Sequence, residues 1–333
     1  MADTVKFITF TDVHISDVNP QSRLGDYRQD ILDKLKQIKL VGEKLKVDFF
    51  LCGGDLFNLK APMKNSHELT GLLIELFKSF PAPVYCIEGN HDLKNDSYLT
   101  FDKQPLKVLY NSGALIQVGS ERKIKNVIIR SFPFLEEPDF QDTEKYPRVV
   151  DDGENVRVCA LHLYATKNGG SLFKFKLFSY DEVAQLNDDI FVFGHYHIDQ
   201  GVEILKNNGK EQHFVNVGAV GRGSLVEDEV TRNPKICVVT ISPNKEVTSQ
   251  VVNLKVKPAE EVFNIEEKKT EKERAKATEE FVDTLKLEVS DELTLDIDNI
   301  QAEIEKTNID KVVIQRIKDY LDEADRYFKG IVK

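Results

Sequence analysis

The chain lacks an apolar run long enough to span a bilayer, an internal repeat, and any pair of cysteines spaced as C-x-x-C. Because the N-terminus leads directly into a strand-like run, we expect no signal peptide. Without an apolar run of membrane-spanning length, we also expect no membrane partner and a cytoplasmic protein. Without paired cysteines, a structural zinc site built on thiols is disfavoured. Free, buried thiols are expected for the four cysteines, which are Cys52, Cys86, Cys159 and Cys237.

The chain also lacks an excess of positive charge, since its formal net charge is −11. Neutralisation of phosphates supplies most of the affinity of proteins for nucleic acids, so strong unaided binding to DNA is not expected. A nuclease remains compatible with this charge, because bound cations and local basic loops can reverse the field at a site. The candidate phosphate contacts, which can equally be ordinary solvated charges, are Arg23, Arg28, Lys60, Lys64 and Arg222.

A length of 333 residues allows a main domain and an appendage. We place the main domain at 1–257 and a small C-terminal α+β domain at 258–333, because a nearly fully charged stretch over 266–274 follows Pro258. That segment contains a strand candidate, Thr284 to Val289, and a terminal helix with an apolar stripe from Ile309 to Phe328. The stripe either packs on the small domain's own sheet or docks a partner.

Short apolar strands alternate with amphipathic helices in the first part of the chain. Strands are predicted at 5–12, 47–55 and 84–88, with helices at about 27–46 and 66–80 between them. From about Leu115 the pattern changes to more strands and fewer helices. Further strand candidates lie at 115–118, 127–132, 156–162, 189–193, 214–217, 235–241 and 247–256. A mixed sheet, or two stacked sheets with outer helices, would accommodate this pattern.

Five short polar blocks stand where predicted strands end. They are Asp12-Val13-His14, Gly53-Gly54-Asp55, Gly89-Asn90-His91-Asp92, the single His162, and Gly194-His195-Tyr196-His197. Ligands of open α/β proteins converge at the carboxyl ends of strands, so these side chains are expected to meet. Imidazole and oxygen ligands of this kind can hold two divalent cations, with Asp55 as the best candidate for a bridging carboxylate.

Each block taken alone is weak evidence. Gly-Gly-Asp and Gly-Asn-His-Asp are plausible turns, and a single histidine after an apolar strand is more often a core residue than a ligand. The ordered set is much stronger, because five of the seven histidines fall within it. The other two, His67 and His213, are expected to have surface or structural roles.

The ordered blocks resemble the calcineurin-like metallophosphoesterases over about residues 5–220. Within that superfamily the chain is most similar to the SbcD-type nuclease subunits of double-strand-break repair. The stretches that carry this resemblance are Gly54-Asp55-Leu56-Phe57, Lys60-Ala61-Pro62 and the run from Pro83 to Asp92. The resemblance implies an α/β (α+β) metallophosphoesterase fold of two stacked mixed β-sheets flanked by helices, with a small C-terminal domain.

The same resemblance implies a role for each polar residue. One metal would be held by Asp12, His14, Asp55 and His197, and the other by Asp55, Asn90, His162 and His195. His91 would not be a ligand but would protonate the leaving oxygen or stabilise the transition state, with Asp92 orienting it and balancing its charge. Mn²⁺ is favoured for both positions, with Mg²⁺, Fe or Zn²⁺ as alternatives.

The resemblance further implies a hydrolase of DNA repair and recombination. The expected activity is that of an exonuclease and endonuclease, acting on DNA ends with an SbcC-type, SMC-like coiled-coil ATPase. A homodimer through helices near 69–76 and 98–110 is also expected. The enzyme alternatives are a small-substrate phosphodiesterase and a protein phosphatase, although the missing Arg-Gly after Asn58 counts against the phosphatase. A non-catalytic scaffold is the third possibility, and the presence of His91 and Asp92 counts against it.

Overall fold

Two six-stranded mixed sheets dominate the computed structural model, which describes residues 3–172, 175–207, 209–225 and 230–265. The first sheet contains β1 (Val5–Phe10), β2 (Phe49–Cys52), β3 (Val84–Cys86), β4 (Ile116–Gln117), β14 (Lys235–Ile241) and β15 (Val247–Asn253). Its strand order is β15-β14-β1-β2-β3-β4. Strands β1 to β4 are parallel, and β14 and β15 extend the sheet in antiparallel pairing.

The second sheet also has a parallel centre, but both of its edge strands pair in antiparallel fashion. It contains β5 (Glu121–Ile124), β6 (Val127–Phe132), β7 (Val156–Leu163), β11 (Ile190–His195), β12 (Gly201–Asn207) and β13 (Lys210–Asn216). The order is β12-β13-β11-β7-β6-β5. A small three-stranded sheet is formed by β8 (Ala165–Thr166), β9 (Asn168–Leu172) and β10 (Phe175–Ser179).

Helices cover the outer faces of the sheets. The helices are α1 (Tyr27–Leu45), α2 (His67–Lys78), α3 (Pro105–Asn111) and α4 (Tyr180–Ala184), with one more helical turn at Ala259–Val262. Asp26 and Ser66 cap the first two helices, since their side chains accept hydrogen bonds from Gln29 N and Leu69 N. Short 3₁₀ turns occupy Pro62–Lys64, Asn90–Asp92, Lys94–Asp96 and Tyr98–Lys103.

Successive side chains of each strand point to opposite faces of the sheet, which divides the core into layers. Phe7 and Phe49 point into the space between the two sheets, where their rings stack on each other with centroids 4.7 Å apart. They share this layer with valines of the second sheet. The intervening Ile8 and Phe50 point the other way and pack beneath α1 and α2. Burial on both faces explains why these strands are almost continuously apolar. The residues from Met1 to Phe263 form one compact unit.

These observations confirm the predicted fold class of two stacked mixed sheets flanked by helices. The ranges of the predicted helices agree with α1 and α2 to within two residues. The sequence pattern missed β5, β12 and the small sheet, because few of their residues are buried and most of these strands carry charges or glycines instead of an apolar run. No helix in the described ranges has both the length and the apolarity to cross a membrane.

The predicted C-terminal domain at 258–333 lies outside the described residues from position 266 onward, as do its predicted strand and its apolar helix. The domain boundary therefore stays a prediction. All four cysteines are free and buried, as predicted from their apolar surroundings.

Candidate metal centre

Five strands from the two stacked sheets end close together. Asp12 and His14 follow β1, Asp55 follows β2, and Asn90 follows β3 after a short connection. From the second sheet, His162 lies in β7, His195 ends β11, and His197 comes two residues later. The structure thus brings together all seven residues that the sequence predicted as ligands.

The backbone is bent unusually at four of these positions. Positive φ angles occur at Asp12 (50°), His14 (49°), Asp55 (51°) and His195 (86°). For residues other than glycine, this region costs about 1–3 kcal/mol each and is held only where surrounding contacts enforce it. Hydrogen bonds do so here, from Asp12 N to Gly54 O (3.1 Å) and from His14 N to Asp55 O (3.0 Å).

Glycines allow the loops to approach this closely. A Cβ at position 89 would lie 2.1 Å from Asp55 Oδ1, and one at position 194 would lie 2.3 Å from Gly53 O. The glycines that precede Asn90 and His195 are therefore required by close packing, because any larger residue would force the loops apart.

Four side chains form the first of two overlapping groups. Asp12, His14, Asp55 and His197 offer ligand atoms that all lie within 4.8 Å of one another. His14 Nε2 lies 3.5 Å from Asp55 Oδ2 and 3.0 Å from His197 Nε2. Two nitrogens and two carboxylates in this arrangement form a suitable ligand set for a divalent transition metal.

The second group shares Asp55 with the first. It contains Asp55, His162 and His195, and the Asn90 side chain completes it. His162 Nε2 lies 3.3 Å from both Asp55 Oδ2 and Asn90 Oδ1. Because Asp55 belongs to both groups, its carboxylate could help to hold a cation in each of them.

Lone pairs converge in the second group. His162 Nδ1 lies 2.9 Å from Gly53 O and therefore carries the proton, so that in the neutral ring Nε2 is an acceptor. The Asn90 oxygen faces Asp55 Oδ2 and His195 Nδ1, both acceptors, at 3.1 Å each. A cation between these atoms would turn a repulsive arrangement into a favourable one, so the donor set fits a bound metal.

Without a bound cation, protons supply part of the positive charge beside the Asp55 carboxylate. Burial alone would lower the pKa of His162, but the adjacent Asp55 carboxylate outweighs burial and raises this pKa to about 9. The neighbouring histidines hold the pKa of Asp55 well below its usual range, although burial opposes them. For His195, burial and the nearby His162 lower the pKa to about 2, so its ring is neutral.

Metal binding is therefore expected to compete with the proton on His162. Each pH unit below 9 should weaken the apparent affinity of the second group for Mn²⁺ about tenfold, because a protonated ring cannot ligate. Calorimetric titrations at pH 7.5, in buffers of different ionisation enthalpy, should show release of about one proton. An affinity that is equal at pH 6.5 and 8.5 would contradict this linkage.

His91 lies at the edge of the first group without joining it. Its backbone N–H donates to Asp55 Oδ1 at 2.7 Å, and its ring meets His14 edge-on with centroids 4.6 Å apart. His91 Nδ1 lies 2.7 Å from the backbone oxygen of Asn58. With Nδ1 held in this way, Nε2 is the nitrogen left to exchange a proton.

Asp92 has different partners from those expected. Its buried carboxylate accepts backbone hydrogen bonds from Leu56 (3.3 Å), Phe57 (3.2 Å) and Gly89 (3.0 Å). The expectation that Asp92 orients the His91 ring is thus corrected, since the Asn58 carbonyl lies against that ring. Asp92 instead ties the Asp55 loop to the Asn90 loop, and burial and the nearby Asp55 raise its pKa to about 7.

The two ligand groups together form one cluster of seven residues. Sequence reasoning missed several contacts around this cluster. Thr11 Oγ1 donates to Asp12 Oδ2 at 2.8 Å, and the Tyr164 ring lies 3.8 Å from that of His195. The Asn58 contact uses a backbone oxygen that every residue possesses, so no side-chain pattern could have revealed it. Tyr164 could have been noticed two residues after His162, where strand alternation returns a side chain to the same face.

The other two histidines stand apart from the cluster. His67 is exposed at the start of α2, and His213 is buried within β13. Of the five basic candidates, Arg28 pairs with Asp17 at 3.0 Å and Arg23 pairs with Asp30. Lys60 lies beside a cluster residue, with its Nζ 3.2 Å from the Asn90 amide group.

The chain is similar to one protein family and to several solved structures. Residues 5–199 match the model of the calcineurin-like phosphoesterase family. Among solved structures, the chain is similar to a putative 5'-nucleotidase from Staphylococcus aureus in complex with alpha-ketoglutarate, with 15% identity, 77% of this chain covered and a TM-score of 0.49. The match spans 54% of that longer protein. TT1561 of Thermus thermophilus is 10% identical, with 74% of this chain and 98% of that chain covered and a TM-score of 0.43.

Proposed function

The chain belongs to the calcineurin-like phosphoesterase family, and we propose that it is a metal-dependent DNA exonuclease and endonuclease subunit that hydrolyses phosphodiester bonds at DNA ends. Hydrolysis of phosphoesters at a dimetal centre follows from the family. The observation that carries the chemistry is the sharing of Asp55 between two groups of ligands, with His91 beside them. The choice of DNA as substrate rests on the likeness of the Asp55 and Asn90 loops to SbcD-type nucleases.

The two ligand groups contain enough side chains to hold two cations. Asp12, His14, Asp55 and His197 would hold one, and Asp55, Asn90, His162 and His195 would hold the other. When bound, the two ions supply Lewis-acid stabilisation of the phosphoryl charge and lower the pKa of the attacking water. We propose Mn²⁺ for both, since mixed imidazole and oxygen ligation suits it.

His91 supplies the proton chemistry in this proposal. The Asn58 carbonyl fixes the ring through Nδ1, which leaves Nε2 to deliver a proton to the leaving oxygen. The contact between His91 N and Asp55 Oδ1 couples the position of this ring to that of the shared carboxylate. A purely structural cluster would have no use for a ring held in this way.

Partners are proposed on the basis of charge and exposure. A chain with a net charge of −11 needs help to hold DNA, and an SbcC-type coiled-coil ATPase would supply it. The proposed homodimer would use α2 and the segment 98–110. Exposed apolar side chains support an interface at the segment 98–110, since Leu99 is 95% exposed and Tyr98 is 47% exposed.

The alternative is a phosphodiesterase for small substrates, because the same cluster could serve both reactions. With Mn²⁺, we expect the purified protein to degrade end-labelled linear duplex DNA, alone or with the SbcC-type ATPase, and His91→Ala to abolish cutting. Hydrolysis of bis(p-nitrophenyl) phosphate without DNA cutting, even with the ATPase present, would favour the small-substrate alternative. Failure to hydrolyse any phosphoester with both cations bound would contradict the proposed function.

A further inference from the structure

The side chain of Lys60 reaches the rim of the metal cluster. Its Nζ lies 3.2 Å from the Asn90 amide atom that faces away from Asp55 and His195. The lysine side chain is 34% exposed, so the ammonium lies between bulk solvent and the candidate ligands. Lys64, only one turn further along the chain, is instead exposed to solvent.

The position of Lys60 is fixed from two sides. Its ammonium donates to Asp96 Oδ1 at 2.5 Å, and its backbone oxygen accepts a hydrogen bond from the side chain of the buried Gln104 at 3.4 Å. Asp96 itself sits in a turn where it and Asn95 have φ values of 53° and 56°. Such a left-handed pair of non-glycine residues is unusual, and here it directs a carboxylate toward Lys60.

The Asn90 amide can present either end to the cluster, with different consequences for Lys60. If the nitrogen faced Asp55 and His195, the oxygen would accept a hydrogen bond from Lys60. If the oxygen faces the cluster, as ligation of a cation requires, the amide nitrogen faces the ammonium instead. Two donors then stand 3.2 Å apart and need a common acceptor.

We propose that Lys60 and the Asn90 amide nitrogen together form a subsite for a non-bridging phosphoryl oxygen of the substrate. This inference rests on the proposed function, because it requires a phosphoester at the cluster. One anionic oxygen can accept hydrogen bonds from both groups and removes the repulsion between them. Lysine has three N–H donors, so Lys60 can keep Asp96 while it contacts the substrate.

Binding of a cation and binding of the phosphoryl group are linked by this geometry. The Asn90 oxygen already faces Asp55 and His195, so its N–H donors face Lys60, and a cation in the second group would favour this orientation. A loaded second group would therefore keep the two donors of the subsite together, and Asp96 holds the ammonium in place beside them. Lys60 would touch the substrate itself, which makes it a catalytic residue in addition to the seven ligands and His91.

Inorganic phosphate is a suitable probe because its binding does not depend on turnover. Titration of the Mn²⁺-loaded protein with phosphate should give a dissociation constant about tenfold higher for Lys60→Met than for the wild type, since a charge-assisted hydrogen bond is lost. Lys60→Arg keeps the charge and should recover most of the affinity. The matched control, Lys64→Met, should stay within about twofold of the wild type, because an exposed lysine has no such contact.

Kinetics and metal content complete the test. On bis(p-nitrophenyl) phosphate, Lys60→Met should lower kcat/KM by about ten- to a hundredfold while two Mn²⁺ per chain remain bound. Unchanged phosphate binding in Lys60→Met would overturn the inference, and so would loss of Mn²⁺, which would give Lys60 a role in holding Asn90 only. The phosphate titration needs no turnover. If the wild type hydrolysed no phosphoester but Lys60→Met still bound phosphate more weakly than the wild type, the result would count against the proposed function and not against the subsite.

Discussion

Replacing Asp55 by asparagine is expected to abolish hydrolysis and to remove bound metal. Asp55 is the one residue common to both ligand groups, and its Oδ2 lies 3.5 Å from His14 Nε2 and 3.3 Å from His162 Nε2. A neutral amide cannot supply the negative charge that two neighbouring cations require. Loss of their several kcal/mol of transition-state stabilisation should lower kcat by about a thousandfold or more.

The fold should survive this substitution. Asparagine has nearly the same shape as aspartate, and its oxygen can still accept the hydrogen bond that His91 N donates to Asp55 Oδ1. Removing the carboxylate also removes the largest influence that raises the pKa of His162, so this pKa should fall. Metal analysis and thermal unfolding would check both expectations, with the exposed Asp102→Asn as the matched control. Two retained Mn²⁺ ions and activity near that of the wild type would contradict the bridging role.

Replacing His91 by asparagine should have the second-largest effect, and metal binding should remain unchanged. The asparagine amide keeps a donor for the Asn58 carbonyl but has no atom at the position of Nε2. General acid catalysis contributes about 10²–10⁴-fold, so kcat for DNA should fall by that amount. Analysis of the metal content should still find two ions per chain, because His91 lies outside both ligand groups.

The leaving group distinguishes proton donation from other roles of His91. Nitrophenolate leaves without protonation, so His91→Asn should lose much less activity on bis(p-nitrophenyl) phosphate than on DNA. An equal loss on both substrates would show that His91 acts through charge stabilisation and not through a proton. Loss of metal in the variant would contradict its placement outside the ligand set.

Much of the fold could be predicted because both faces of the central strands are buried. A strand such as β6 is a short apolar run between polar turns, and its predicted limits, 127–132, are those observed. The strand β5 could not be predicted in this way. Its residues from Glu121 to Ile124 are mostly exposed, and pairing with β6 determines their conformation.

The candidate site was accessible to prediction for a different reason. Parallel strands end at a common edge, so polar residues after β1, β2 and β3 had to lie near one another. What could not be predicted are contacts that depend on loop geometry. The Asn58 carbonyl against His91 and the pair of Lys60 with Asp96 join residues 33 and 36 positions apart through irregular backbone.

The role predicted for Asp92 illustrates the same limit. A carboxylate next to a histidine in sequence suggests that the two side chains interact. Adjacent residues in a tight turn instead direct their side chains to different partners, and Asp92 turns inward to three backbone N–H groups. Sequence spacing predicted which residues lie together at the cluster, but it did not predict the hydrogen-bond partners of Asp92.

Anomalous X-ray scattering from crystals grown with Mn²⁺ would test the two-cation centre most directly. Two peaks are predicted, one among Asp12, His14 and His197 and the other among Asn90, His162 and His195, with Asp55 contacting both. A single peak, or peaks away from the ends of these strands, would contradict a shared Asp55 carboxylate and the two-metal chemistry that depends on it.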